Sequence, residues 1–358
     1  MQTDDMEVIM DETIEKSIDT SEELVENEVH YKEMSPVQMV MRRFFRSRLS
    51  LVGLIMLVAL FLFAFAGPPV MHLFGYEWYE TDTDRTPTVK RAGYWIETED
   101  ANGQPVKTYQ YIEEVVDINA YAPVSSSHPL GTDEKGLDVF IRLMYGGRIS
   151  LTLGFVVVIL ETILGVIMGG ISGYFGGKVD QVIMRLVDVL NCIPMLPILL
   201  IASAVIDSWQ IEAQMRIYYL MIILTVIGWS GTARMVRGQI LYLREQEYIV
   251  ACEVMGIPTW RRIFMHLVPN IMPQLIVSMT LGLGSIILYE STLSYLGLGI
   301  PLPYAAWGTM ISSSTDPVTM ASYPTLWIPA GILIVIAVLA FNFVGDGLRD
   351  AMDPKAKR

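Results

Sequence analysis

Long apolar runs separated by short polar segments dominate the chain after residue 48. A bilayer core takes about 20 apolar residues per crossing helix. Six runs approach or exceed that length: 49–67, 149–173, 187–206, 217–236, 271–296 and 326–345. Backbone groups in hydrocarbon must bond within their own segment, and the runs lack barrel-type alternation, so helices are predicted. Pro194 and Pro197 fall inside the third run and predict a kink there. Between the fourth and fifth runs lies a different pattern, YIVACEVMGIPTWRRIFMHLVPN (248–270), amphipathic and charged. Tyr248, Ala251, Cys252 and Met255 fall at i, i+3, i+4 and i+7, one face of a helix. Gly256 and Pro258 stop that helix, and Trp260, Ile263, Phe264 and Leu267 repeat the spacing in a second one. Arg261, Arg262 and His266 lie off the second stripe. The pattern predicts a short helix–turn–helix held in water between two spans. Its apolar face calls for a groove on a partner or for lipid headgroups.

Outside the spans, YWIETEDANGQPVKTYQYI (94–112) has strand-like runs flanking Asn102-Gly103, a hairpin turn signal. Pro105 weakens pairing near that turn. In 133–147, Leu137, Phe140, Ile141 and Met144 take helical spacing. The expectation is an amphipathic helix on the outer surface, with Gly146 and Gly147 turning the chain into the membrane.

Composition agrees with a membrane protein: 52% of the 358 residues are hydrophobic, 18% are charged, and the mean hydropathy is +0.43. Charge sets the orientation. Arg42, Arg43, Arg46 and Arg48 precede the first span, and Arg237, Arg244, Arg261 and Arg262 lie between the fourth and fifth. Arg349, Lys355, Lys357 and Arg358 end the chain, whereas 299–325 has no Lys or Arg. By the positive-inside rule both termini are cytoplasmic, and Lys135, Arg142 and Arg148 are a smaller opposing set. The net charge of −13 is concentrated in residues 1–41, where twelve acidic and two basic residues predict a disordered or loosely helical tail. The adjoining Arg cluster suits anionic headgroups. The first apolar run begins behind this tail, so no cleavable leader is expected.

Catalytic motifs fare poorly. GGISGYFGGKVD (169–180) has a Gly-Lys pair, but Ser172 stands where a phosphate-binding loop needs Gly, and Val179 where it needs Ser or Thr. This chain is therefore not expected to bind ATP. The four histidines are scattered without metal-ligand spacing, and no nucleophile elbow occurs. Cys192 and Cys252 are placed against a disulfide. Glu161 is the most conspicuous charge within a span. It is either part of a substrate or proton pathway or a hydrogen-bonded group at a helix interface. Glu290, near the outer end of its span, is expected to be solvated or paired. Arg185 and Asp188, i,i+3 neighbours, are expected to pair with each other.

At 248–270 the chain resembles the inner-membrane subunits of ATP-binding cassette importers. Their cytoplasmic loop runs Glu-Ala-Ala, three residues, Gly, nine residues, Ile-x-Leu-Pro. Ala251, Gly256 and Pro269 match in register, while Val250, Cys252, His266 and Val268 depart from it. The C-type permease subunits of dipeptide and oligopeptide importers are matched more closely. GWSGTARMVRGQILYLREQEYIVACEVMG (228–256) with RIFMHLVPN (262–270) resembles their loop. HPLGTDEKGLDVFIRLMYGGRISL (128–151) resembles their entry to the second span, with Leu137 where Arg is commoner. GYFGGKVDQVIMRLVDVL (173–190) and ESTLSYLGLGIPLPYAAWGTMI (290–311) resemble two further blocks. The resemblance covers roughly 36–351.

The fold this implies is an all-α polytopic membrane protein of type I importer architecture, with six transmembrane helices and a small external β-hairpin. Its parts are the acidic tail 1–41, the basic cluster and first span 42–67, the external loop 68–148, the permease core 149–345 with cytoplasmic loop 237–270, and the tail 346–358. The resemblance implies a permease subunit in the cell membrane, without its own catalysis and without nucleic acid. Its implied partners are a homologous second permease, two cytoplasmic ATP-binding cassette subunits holding ATP and Mg, an extracytoplasmic peptide-binding protein, and membrane lipid. It places Ala251, Cys252, Glu253 and Gly256 in the coupling helix. Tyr248, Met255, Arg261 and Arg262 join them by position in the segment, and Glu161 is the candidate for the substrate pathway. Two alternatives stand beside this reading: the same machine carrying nickel or another small solute, and a proton-coupled carrier. A clear six-span inverted repeat, which the carrier reading would favour, is lacking.

Overall fold

The computed structural model describes residues 35–75, 87–99, 105–209, 213–296, 298–300 and 304–352. It divides into two compact units, Met1–Arg43 and Phe44–Arg358. In the first, the described residues open helix α1 (Pro36–Arg46), where Ser35 and Gln38 exchange side-chain-to-backbone hydrogen bonds of 3.3 and 3.2 Å. This is a capping box, satisfying two orphan donors at the helix start. Residues 1–34 of the predicted acidic tail lie outside the described residues.

The second unit is a bundle of apolar helices. In chain order they are α2 (Arg48–Leu73), α3 (Val139–Phe175), α4 (Gly177–Cys192), α5 (Met195–Ser208), α6 (Ala213–Leu243), α7 (Glu247–Val254), α8 (Thr259–Tyr295), α9 (Trp307–Ser312), α10 (Pro317–Ser322) and α11 (Ile328–Met352). Among the described residues five helical stretches are long and apolar enough to cross a membrane, or six when α4 and α5 count as one broken span. Strands β1 (Pro87–Glu99) and β2 (Pro105–Asp117) pair antiparallel in register, Pro87 opposite Asp117 and Glu99 opposite Pro105. Pro105 takes the first position of its strand, where a missing N–H costs the ladder least. Asn102-Gly103 lies outside the described residues.

Two expectations change. The third apolar run is not one kinked helix, because α4 and α5 meet at 85°. Ile193 is extended at φ −89°, ψ 124°, the conformation that the ring of the following Pro194 favours. Nor is 133–147 a separate helix on the outer surface. From Val139 onward it is the first part of α3, and Leu137, Ile141 and Met144 are buried. Gly146 and Gly147 make no turn. They form a notch for the α9 start: a Cβ on Gly147 would sit 2.7 Å from the Trp307 ring. Asp138 caps α3 by accepting from the Ile141 N–H at 2.9 Å and holds His128 Nδ1 at 2.8 Å.

The apolar core runs through α2, α3, α5, α6, α8, α9 and α11, from Leu60 and Leu151 to Ile287, Trp307 and Phe341. Within it lies a buried carboxyl, that of Glu290. Glu290 is 1% exposed and accepts from Ser294 Oγ at 2.7 Å, Ser150 Oγ at 2.9 Å and Ser291 Oγ at 3.4 Å. It is therefore neither solvated nor ion-paired: serine hydroxyls from α3 and α8 supply the hydrogen bonds that a buried carboxyl requires.

Candidate functional site

The segment between α6 and α8 forms two helical pieces joined by a tight turn. α7 ends in a Schellman motif: the Ile257 N–H donates to the Cys252 carbonyl at 3.1 Å and the Gly256 N–H to the Glu253 carbonyl at 2.9 Å. That motif needs a left-handed residue, and Gly256 supplies it at φ +73°. Pro258 then starts α8, accepting from the Arg262 N–H at 3.1 Å. The first helix falls where the spacing predicts but presents a different face, and the second is no separate short helix: it is the start of α8, which runs on unbroken into the fifth apolar run. Ile249 and Cys252 point inward, and Ile249 packs with Val236 and Ile240 of α6 and Ile263, Leu267, Ile271 and Leu275 of α8. Tyr248, Ala251 and Met255, on the predicted stripe with Cys252, are exposed.

The outer surface carries several large apolar side chains beside the exposed Glu253 and Arg261. Val254 is 84% exposed and Met255 70%, and Val250, Trp260, Phe264 and Met265 are exposed beside them. Spacing alone missed Val250 and Val254. The signal was the composition of α7, which is apolar on more sides than one core contact can use.

The charged residues brace this surface from beneath. Arg262, placed off the apolar stripe by spacing, is buried. Its guanidinium lies 5.4 Å from the Tyr174 ring centroid of α3, 3.0 Å from Glu253 Oε2, and donates to Thr259 Oγ1 at 3.3 Å. Arg244 Nη1 donates to the Gly173 and Tyr174 carbonyls at 3.0 and 3.2 Å, satisfying the last turn of α3. Asn270 Nδ2 donates to the His266 carbonyl at 2.7 Å and to Tyr248 Oη at 3.2 Å. Partial desolvation of its ring end raises the Tyr248 phenol above its ordinary pKa. Arg261 lies over Trp260 at 5.4 Å, on the surface. The apolar outer surface is thus fixed to the end of α3.

Glu161 lies elsewhere, on α3 within the membrane region. Its carboxyl sits against Gly228 of α6, where any Cβ would overlap it, and Oε1 is buried with no hydrogen-bond partner among the described residues. Asp188 does not pair with Arg185: its Oδ1 accepts from Arg234 Nη2 of α6 at 2.7 Å. Among the described residues no group of three or more His, Cys, Asp or Glu could hold a metal. Cys192 is exposed and Cys252 buried.

Apolar helices long enough to cross a membrane, with a braced segment of exposed apolar side chains between two of them, define a multi-span membrane protein. Residues 162–358 match the family model described as binding-protein-dependent transport system inner membrane component, and 35–87 match the N-terminal TM domain of oligopeptide transport permease C. The oligopeptide transport system permease protein OppC of Bacillus subtilis is 43% identical over 242 residues, 67% of this chain and 76% of the relative. The dipeptide transport system permease protein DppC of the same organism is 41% identical over 236 residues, 66% of this chain and 71% of the relative. OppC of Haemophilus influenzae is 35% identical over 238 residues, 66% and 74% respectively. The chain belongs to the family of binding-protein-dependent transport system inner membrane components.

Proposed function

We propose that this chain is a permease subunit of an ATP-driven peptide importer and receives the ATPase stroke on the outer surface of α7 and the start of α8. The observation that carries the docking assignment is the exposed apolar patch of Val250, Val254, Met255 and Trp260 on a segment braced by Arg244 and Arg262. An isolated apolar residue on a surface needs no explanation, but a contiguous patch on a rigid element marks an interface. The names of the relatives, oligopeptide and dipeptide permeases, support peptide as the cargo.

In this reading the pair α4–α5 is one broken span, giving six crossings with both termini in the cytoplasm. The β1–β2 ladder is an external hairpin. A homologous second permease completes the pathway, and an extracytoplasmic binding protein delivers peptide. Two cytoplasmic subunits hold ATP and Mg, since this chain's one Gly-Lys stretch lacks the residues a phosphate loop needs. Tyr248, Ala251, Cys252, Glu253, Met255, Gly256, Arg261 and Arg262 form the coupling element. Within it, Ala251 and Met255 lie on the docking side, while Cys252, Gly256 and Arg262 shape and anchor it.

Val254→Glu tests this reading. The side chain is open to solvent, so the variant should insert and fold as the parent does. In the reconstituted transporter it should lower ATP-dependent peptide uptake at least tenfold, because a carboxylate buried unpaired at an interface opposes docking. Parental uptake by this variant would refute the docking surface. Uptake by the chain alone, driven by a proton gradient, would refute the ATP-driven reading.

A further inference from the structure

α4 is attached to α6 by two ion pairs, an apolar contact, and a hydrogen bond that Ser230 Oγ donates to Asn191 Oδ1 at 3.2 Å. At one end Asp180 accepts from Arg237 through both oxygens, at 3.0 and 2.6 Å, and from Ser172 Oγ of α3 at 2.5 Å. In the middle Val187 packs on Trp229 and Ala233. Beyond it Asp188 takes a single hydrogen bond from Arg234 at 2.7 Å. The two ion pairs are unequal. The Asp180 side chain is 16% exposed, and burial with three donors makes that link a fixed pin. Asp188 and Arg234 are 55% and 53% exposed, so their link is screened by solvent.

Arg185 adds the second observation. It lines the same cavity of about 380 Å³ as Asp180, Asp188, Arg234 and Arg237, and no ion pair engages it among the described residues. It stands one helical turn from Asp188, within reach of it along α4. Asp188 therefore has two basic neighbours: Arg234 across the helices and Arg185 on its own.

We propose that Asp188 is a two-position clasp on the transport stroke, held by Arg234 in the arrangement seen here and by Arg185 when α4 swings about its Asp180 pin. The inference rests on the ATP-driven reading above and assigns positioning residues to it. α6 runs directly into the coupling element, so a stroke on α7 moves the Arg234 end of the clasp. α4 continues across its 85° break into α5, so release of the clasp frees a broken span to tilt. A clasp that opens in every cycle has to be weak, and an exposed pair shifts an equilibrium only about fivefold.

Two measurements on the full reconstituted transporter test this. The first is peptide imported per ATP hydrolysed. Arg185→Gln should lower that ratio about threefold. Asp188→Arg with Arg234→Asp restores attraction across the helices but leaves Arg185 repelling its neighbour, so the ratio should stay low. Adding Arg185→Asp should bring it back. Parental coupling in Arg185→Gln, or full recovery in the double reversal, would make the pair static and overturn the proposal. The second places Asp188→Cys and Arg234→Cys in a Cys192→Ser background. A short bifunctional thiol reagent should join α4 to α6 faster without nucleotide than in the complex trapped with ATP and vanadate. Equal rates overturn the clasp. This arm does not depend on the cargo, whereas a parent transporter that hydrolyses ATP without importing peptide refutes the cargo reading alone.

Discussion

On its α3 side, α6 meets a row of positions four residues apart: Glu161, Gly165, Gly169 and Gly173. A Cβ on Gly165 would lie 2.6 Å from Thr232 Cβ, and one on Gly173 would lie 2.9 Å from Ile240 Cβ. On its α4 side, α6 has one apolar contact, two interhelical ion pairs and the Ser230–Asn191 hydrogen bond. Lipid is as apolar as a side chain, so membrane helices associate through close packing and hydrogen bonds. The first interface uses packing, which is lost abruptly once the backbones separate. The second uses charged pairs, which can be exchanged for others. α3 and α6 are thus built to move together, and α4 to move against them.

The largest effect should come from the packed side. Gly169→Val would drive its Cβ into the Ala233 carbonyl and to 2.9 Å from Val236 Cβ, with glycines above and below that already allow the closest approach. The expected cost is about 3 kcal/mol, seen as lost folded yield and a lower unfolding temperature in detergent. Gly231, also on α6, has nothing within 4 Å of its absent Cβ. Gly231→Ala should be neutral or stabilising by up to about 1 kcal/mol, since the substitution relieves only the helix-propensity penalty. Equal losses in the two variants would show that glycine flexibility, and not close approach, is what the interface needs.

The charged side should respond less and unevenly. Arg237→Gln leaves Asp180, mostly buried, with Ser172 as its remaining side-chain partner and should cost about 1–2 kcal/mol. Arg234→Gln removes a pair more than half exposed and should cost at most about 0.5 kcal/mol. Chemical unfolding of the two variants side by side measures the gap. A larger loss from Arg234→Gln would reverse the assignment of pin and clasp.

How far this organisation was legible in the sequence follows from which signals are local. The apolar runs place the spans because bilayer thickness sets their length. Pro194 marks a break, but its 85° angle depends on what α4 and α5 pack against. Gly256 and Pro258 mark the turn of the coupling segment because a Schellman end and a helix start each need a particular backbone conformation. Spacing misplaces the inward face of α7, because an eight-residue helix with apolar residues on several sides carries little periodic information. Spacing pairs Asp188 with its neighbour at i,i+3, whereas its partner lies 46 residues away. Glu290 shows the same limit: Ser294 is one turn along the helix, while Ser150 lies 140 residues distant. Partners brought together by tertiary packing leave no spacing signal.

Glu161 joins the two halves of the comparison, as a polar group at the head of the glycine row. Its Oε1 is buried without a hydrogen-bond partner among the described residues, pressed against Gly228. Glu161→Gln keeps the shape and removes the ionisable group, so its effect on stability should stay within about 0.5 kcal/mol. The informative measurement is transport. If the carboxyl serves only to fill the space opposite Gly228, peptide uptake by Glu161→Gln should match the parent at every external pH. If it exchanges a proton during the stroke, uptake should fall and lose its pH dependence. Packing is the expected outcome, because Glu161 sits in the row that holds α3 to α6, and Gly228, the residue it touches, leaves room for a side chain that stays in place.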